Sequence, residues 1–202
     1  MNPIEWIAAG LGIVTVALVV TRSIWNYPFA VAMVSLYFFV FFEARLYSDA
    51  LLQIFFLVIN LYGWWNWLRS RHETGEVVVT ALTSRQRLLW LSGTLAASML
   101  WGLAMARYTD AAAPVWDALI AGGSVAAQIL QARRRLESWV LWIAVDIVAV
   151  PLYFSRGLIA TSALYVVFLV LAAAGLFAWW KAWRARQDSN PTPADAGPQA
   201  AQ

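Results

Sequence analysis

Seven apolar runs, most of them close to the length that crosses a bilayer, take up nearly all of this 202-residue chain. They lie at about 4–20, 25–42, 49–68, 88–105, 115–130, 139–155 and 158–183, and a charge or a helix breaker stands at every junction. A hydrocarbon layer roughly 30 Å thick takes about 20 apolar residues of helix. Inside it only α-helices and closed barrels satisfy every backbone N–H and C=O. Charged residues make up 12% of the chain, against roughly 25% in a soluble domain. The expected fold is an all-α polytopic membrane protein with seven transmembrane helices in the lipid bilayer.

Basic residues set the expected orientation. With the N-terminus outside, the inner side collects Arg22, Arg69, Arg71, Arg85, Arg87, Arg133, Arg134, Arg135, Lys181, Arg184 and Arg186, eleven of the 14 Lys and Arg. Arg45, Arg107 and Arg156 fall outside. An excess of that size in short loops places the C-terminus in the cytoplasm. The positive net charge then follows topology, and no basic nucleic-acid-binding fold surrounds it, so no nucleic acid partner is expected. The first run lacks a basic leader and an A-x-A-like exit, and reads as a retained helix. The tail 184–202, Pro/Ala/Gln-rich from Gln187, is expected to be disordered and cytoplasmic.

Enzyme signatures are absent. There is no cysteine and one histidine, His72, in the charged loop 69–87. Thiolate chemistry, histidine triads and His-based metal sites therefore lack material. No G-x-x-x-x-G-K-[ST] loop occurs. Neither enzymatic activity nor a cofactor or metal is expected.

Shifting the chain by 112 residues brings Glu5 onto Asp117, Gly10 onto Gly122, Arg22 onto Arg134, Gly63 onto Gly175 and Trp67 onto Trp179. Between these blocks the offset reads as 114, where Trp25 meets Trp139. The chain thus divides into a first three-helix repeat (1–68), the loop 69–87, a linking helix (88–105) and a second three-helix repeat (106–183). One intervening span gives both halves the same orientation, a parallel 3+1+3 plan with the site expected between the halves near the midplane. The halves differ chemically: Gln53 pairs with Tyr165 and Asn60 with Ala172.

Asp146 is the sharpest functional signal. It stands mid-way in the sixth run, where a carboxylate costs roughly 2.5–3.5 kcal/mol and faces a bundle interior or a watery path. Trp142 lies one helical turn away on the same face, and an acid beside an aromatic face suits a flat organic cation; the alternative is a structural carboxyl held by an arginine or amide of another helix, or protonated by burial. In the third run Gln53 and Asn60 share a stripe that Trp64 and Trp67 continue. These tryptophans fit either ligand contact or an interfacial belt, while Trp65 fits the belt. Gln53 and Asn60 fit a polar site, with helix–helix hydrogen bonding as the alternative. A second stripe in the fifth run carries Asp117, Ser124 and Gln128. There Gln128 is a pocket candidate, whereas Asp117, like Glu5, suits a helix N-terminus. Pro28 and Pro151 can loosen the second and sixth helices.

Three stretches then carry a family resemblance: ARLYSDALLQIFFLVINLYGWWNW (44–67), PVWDALI (114–120) and the region 137–179, which opens ESWVLWIAVD. With G-W-x-x-W closing the third run and E-x-W-x-x-W-x-x-x-[N/D] opening the sixth, the chain resembles the PnuC-type nicotinamide riboside transporters. The resemblance implies a 3+1+3 architecture like a full-length SWEET-type carrier, a homotrimer in the bacterial inner membrane, and facilitated diffusion. It also implies coupling to a cytosolic vitamin kinase that traps the cargo. Carried over, the substrate-binding positions are Gln53, Asn60, Trp64, Trp67, Trp139, Trp142, Asp146 and Tyr165. In the family Asn is the usual residue where Asp146 stands. The expected cargo is nicotinamide riboside, with thiamine as the alternative and riboflavin or a deoxynucleoside behind them. A membrane scaffold without transport is the rival class.

Overall fold

The structure is a computed structural model and describes residues 3–43, 47–108 and 113–189. Those residues form seven helices: α1 Pro3–Val20, α2 Asn26–Glu43, α3 Tyr47–Thr74, α4 Ser84–Tyr108, α5 Pro114–Ala132, α6 Glu137–Ser155 and α7 Ile159–Ser189. Leu51–Thr74, Ser84–Tyr108, Glu137–Ser155 and Thr161–Ser189 are long and apolar enough to cross a membrane, with shorter apolar stretches at Trp6–Val20 and Asn26–Val40. Large apolar side chains such as Leu100, Val170 and Phe177 face outward, as a lipid solvent allows.

Three expected boundaries move. α3 continues to Thr74 and α4 starts at Ser84, so much of 69–87 is helical, and α7 runs past 183 to Ser189. Charge ends an apolar run without ending a helix: Arg69 and Glu73, an i,i+4 pair at 2.7 Å, extend α3. The tail from 190 onward, where disorder was expected, lies outside the described residues.

α1 packs on α2 and α7, α2 on α3, α3 on α5, α5 on α6, and α6 on α7, so six helices close a ring while α4 lies outside against α5. At the Arg-rich end, α1 and α5 finish alike. Arg22 N–H donates to Val19 O and Ser23 N–H to Leu18 O, both at 2.9 Å; Arg134 N–H to Gln131 O and Arg135 N–H to Leu130 O repeat this at 2.9 Å. These are Schellman caps, whose left-handed residue is usually glycine. Here it is Arg22 (φ 57°) and Arg134 (φ 60°).

The correspondence continues into the next helices. Tyr27 N–H donates to Ile24 O and Trp139 N–H to Leu136 O, each at 3.2 Å. The 112-residue offset thus holds through the turn, and Tyr27, not the 68% exposed Trp25, stands where Trp139 does. No insertion separates the two turns.

The α3–α4 connection crosses this end. Val77, Val79 and Leu82 are buried. Thr80 N–H donates to Arg134 O and its carbonyl accepts from Leu136 N–H, and Glu137 caps Leu82 N–H at 3.0 Å. Glu76 pairs with Arg22 at 3.5 Å and with Arg186 at 3.3 Å.

Candidate functional site

Aromatic rings close the bundle at the Arg-rich end. Tyr27 meets Trp67 edge-on at 5.3 Å, Trp139 meets Trp179 edge-on at 5.5 Å, and Trp67 and Trp179 join the two pairs at 5.7 Å. Trp179 donates its indole N–H to Val19 O at 3.0 Å and Trp67 donates to Gln131 O at 3.3 Å. The indole of α7 thus ties to the cap of α1, and that of α3 to the cap of α5. Glycines admit the rings: a Cβ on Gly63 would lie 2.6 Å from the Tyr27 hydroxyl, and one on Gly175 would lie 2.5 Å from the Trp139 ring. Trp67 and Trp139, expected as substrate contacts, are fully buried in this cluster.

Deeper along the helices lies a second set of residues. Asp146 is 2% exposed and has no hydrogen bond or ion pair among the described residues, so none of the described arginines holds it. On α7, Tyr165 packs on Tyr153 at 5.1 Å. Trp142, partly buried one turn from Asp146, donates its indole N–H to the side-chain oxygen of Gln131 at 2.7 Å. Gln128 donates to Asn60 Oδ1 at 2.9 Å, and Asn60 donates to Phe56 O at 2.8 Å. Gln53 is buried on the same stripe of α3, and Trp64 stacks on Tyr27 at 6.4 Å.

The remaining candidates fall outside this group. Trp65 is 56% exposed with the Arg69 guanidinium 5.8 Å from its ring. Asp117 lies in the first turn of α5 and pairs with Arg156 at 3.1 Å, while Ser124 bonds back to Ile120 O. The Glu5 side chain lies outside the described residues. An apolar groove of about 460 Å³ runs between α4 and α5, lined by Trp90, Ser98 and Trp101, away from Asp146.

Comparison with known proteins decides the family. A family profile described as Nicotinamide mononucleotide transporter matches residues 2–181. The chain belongs to that family. Among curated relatives, the riboflavin/roseoflavin transporter RibM of Streptomyces davaonensis is 32% identical over 90% of this chain and 85% of its own length. The nicotinamide riboside transporter PnuC of Escherichia coli is 28% identical, covering 91% and 87%. The Neisseria mucosa PnuC is 31% identical, covering 89% and 74%. A crystal structure of the vitamin B3 transporter PnuC superposes with a TM-score of 0.72 at 30% identity, covering 91% of this chain and 84% of that one.

Within this member of the nicotinamide mononucleotide transporter family, sequence reading missed Gln131 and Tyr27. Gln131 lies seven residues after Ser124, on the stripe that already held Gln128. Tyr27 holds the place of Trp139 in the ring cluster without sharing its residue type.

Proposed function

We propose that this chain is an inner-membrane carrier that takes up nicotinamide riboside by alternating access. The observation that carries the reading is Asp146, buried one helical turn from Trp142 with no cation beside it among the described residues, in a chain whose relatives include nicotinamide riboside transporters. The cargo's pyridinium ring supplies the missing positive charge. Stacking on a desolvated indole adds about 2 kcal/mol. Gln53, Asn60 and Gln128 read hydroxyl or amide groups, Trp64 and Tyr165 frame the ring, and Trp67 and Trp139 form the floor.

The architecture proposed is two parallel three-helix repeats, α1–α3 and α5–α7, joined by α4 as in a full-length SWEET-type carrier. The caps, ring pairs and cross-tying indoles that recur 112 residues apart support it. The Arg-rich end is cytoplasmic by the positive-inside rule, which puts the N-terminus outside and the C-terminus inside. Rocking of one half against the other exposes the site to each side in turn. Homotrimer assembly and trapping of the cargo by a cytosolic vitamin kinase rest on the family resemblance.

Riboflavin is the second reading, favoured by the Streptomyces relative; thiamine rests on its cationic ring alone. Proteoliposomes separate them. Saturable nicotinamide riboside uptake without a proton or sodium gradient, competed weakly by riboflavin and thiamine, is the expected result. Uptake of riboflavin alone would reassign the cargo, and no uptake of any vitamin would favour a scaffold.

A further inference from the structure

The sharpest break in the repeated frame lies on α5. Gln128 and Gln131 stand 112 residues after Val16 and Val19 of α1, so the second half carries two amides where the first keeps two valines. Burying an amide in a helix bundle is unfavourable without a partner for each end. Here each amide has a protein partner at one end only.

Which end is free follows from chemistry. An indole N–H can only donate, so the contact with Trp142 Nε1 at 2.7 Å fixes the Gln131 oxygen toward Trp142 and turns its NH2 away. A backbone carbonyl can only accept, so Phe56 O fixes the Asn60 amide nitrogen, and Asn60 Oδ1 must then face a donor. That donor is Gln128 Nε2, which leaves the Gln128 oxygen unused. Neither free end has a partner among the described residues, and neither is among the sealed, unpartnered polar atoms, so both open onto space.

We propose that Gln131 is a further specificity-determining residue, and that its NH2 and the Gln128 oxygen together read the carboxamide of the cargo. Residues i and i+3 on a helix lie about 5–6 Å apart, a spacing that lets one primary amide accept from Gln131 and donate to Gln128. The ring itself stays with Trp142 and Asp146. This assignment rests on the nicotinamide riboside reading and adds which group on the ring is recognised.

The test compares two probes on the full-length protein in detergent: nicotinamide riboside and pyridinium riboside, which lacks the carboxamide. In Gln131→Met the Trp142 anchor and the free NH2 are both lost, so absolute affinities fall for each probe. The ratio between them isolates the carboxamide. We expect the preference for nicotinamide riboside to fall about tenfold, as loss of one hydrogen bond predicts. An unchanged ratio overturns the proposal and leaves Gln131 as a support for Trp142. If Gln131→Met does not fold, Gln131→Glu decides by the same ratio, since it keeps the acceptor for Trp142 and replaces the NH2. Wild-type protein that binds neither riboside removes the cargo assignment and this inference with it. Binding of both with equal affinity removes this inference alone.

Discussion

At the Arg-rich end of the bundle, residues 112 positions apart do the same things; a few turns deeper they do not. Arg22 and Arg134 form the same cap, Tyr27 and Trp139 pack on Gly63 and Gly175, and Trp67 and Trp179 reach across to Val19 O and Gln131 O. Deeper in, Asn60 faces Gln128 while the counterpart positions hold Ala172 and Val16. Asp146 stands where the first half has Val34, and both are 2% exposed. The correspondence holds where Trp67 and Trp179 bond to the caps of α5 and α1, and it fails around Asn60, Gln128 and Asp146, as the proposed site for an asymmetric solute would require.

The largest effect should come from breaking the lock. Trp67→Ala and Trp179→Ala each remove a fully buried indole and its cross-tie, which costs about 3–5 kcal/mol. Unfolding in detergent should place the two variants within about 2 kcal/mol of each other, the ordinary spread for one chemistry. A much larger gap would mean that one indole carries the closure and the other fills space. The glycines sharpen the same point at lower cost. Gly63→Ala and Gly175→Ala force a Cβ into an aromatic ring and should each lose about 1–3 kcal/mol. Equal losses support a shared frame.

The asymmetric region should respond the opposite way. Asp146→Asn removes a buried carboxyl that has no partner among the described residues and leaves the amide usual at this place in the family, so thermal stability should hold or rise, while a cationic riboside, losing the carboxylate's attraction, should bind about tenfold more weakly, roughly 1.4 kcal/mol. Val34→Asn, at the matching position, buries an amide with no site to serve and should destabilise by about 1–3 kcal/mol. If Asp146→Asn left cation binding unchanged, the carboxylate would have no part in recognition.

The helices were legible because lipid forces every backbone group into a helix, so each of the seven apolar runs corresponds to one of the seven described helices. Their ends were less so: nothing apolar marks the continuation of α3 to Thr74 or of α7 to Ser189. That Asp146 would be buried one helical turn from Trp142 was legible from depth and spacing alone. Gln131 was hidden by its neighbours, since Ala132 and the arginines that follow make it look like the polar end of a span. The internal offset misled at Trp25 and Trp139 because identity of residue type was taken for identity of place. Tyr27 does in α2 what Trp139 does in α6, and a ring edge against a glycine leaves no trace in a residue-by-residue match.

The smallest expected effect lies in the caps, where the two halves share a backbone but not a side-chain role. A left-handed conformation costs an ordinary residue roughly 1–2 kcal/mol, and asparagine tolerates it better. Arg134 has a sealed, unpartnered Nε, and burial lowers its pKa from the usual value, so the charge is held at a disadvantage. Arg134→Asn should therefore raise stability by a few tenths of a kcal/mol, up to about 1. Arg22 instead reaches Val77 O at 3.4 Å and the half-exposed Glu76 at 3.5 Å, contacts worth about 0–1 kcal/mol. For Arg22→Asn the relieved strain and the lost contacts nearly cancel, and the midpoint of thermal unfolding should scarcely move. If Arg134→Asn proved destabilising by more than about 1 kcal/mol, the guanidinium would be holding the α3–α4 connection in place, and the two caps would differ in mechanism as well as in side chain.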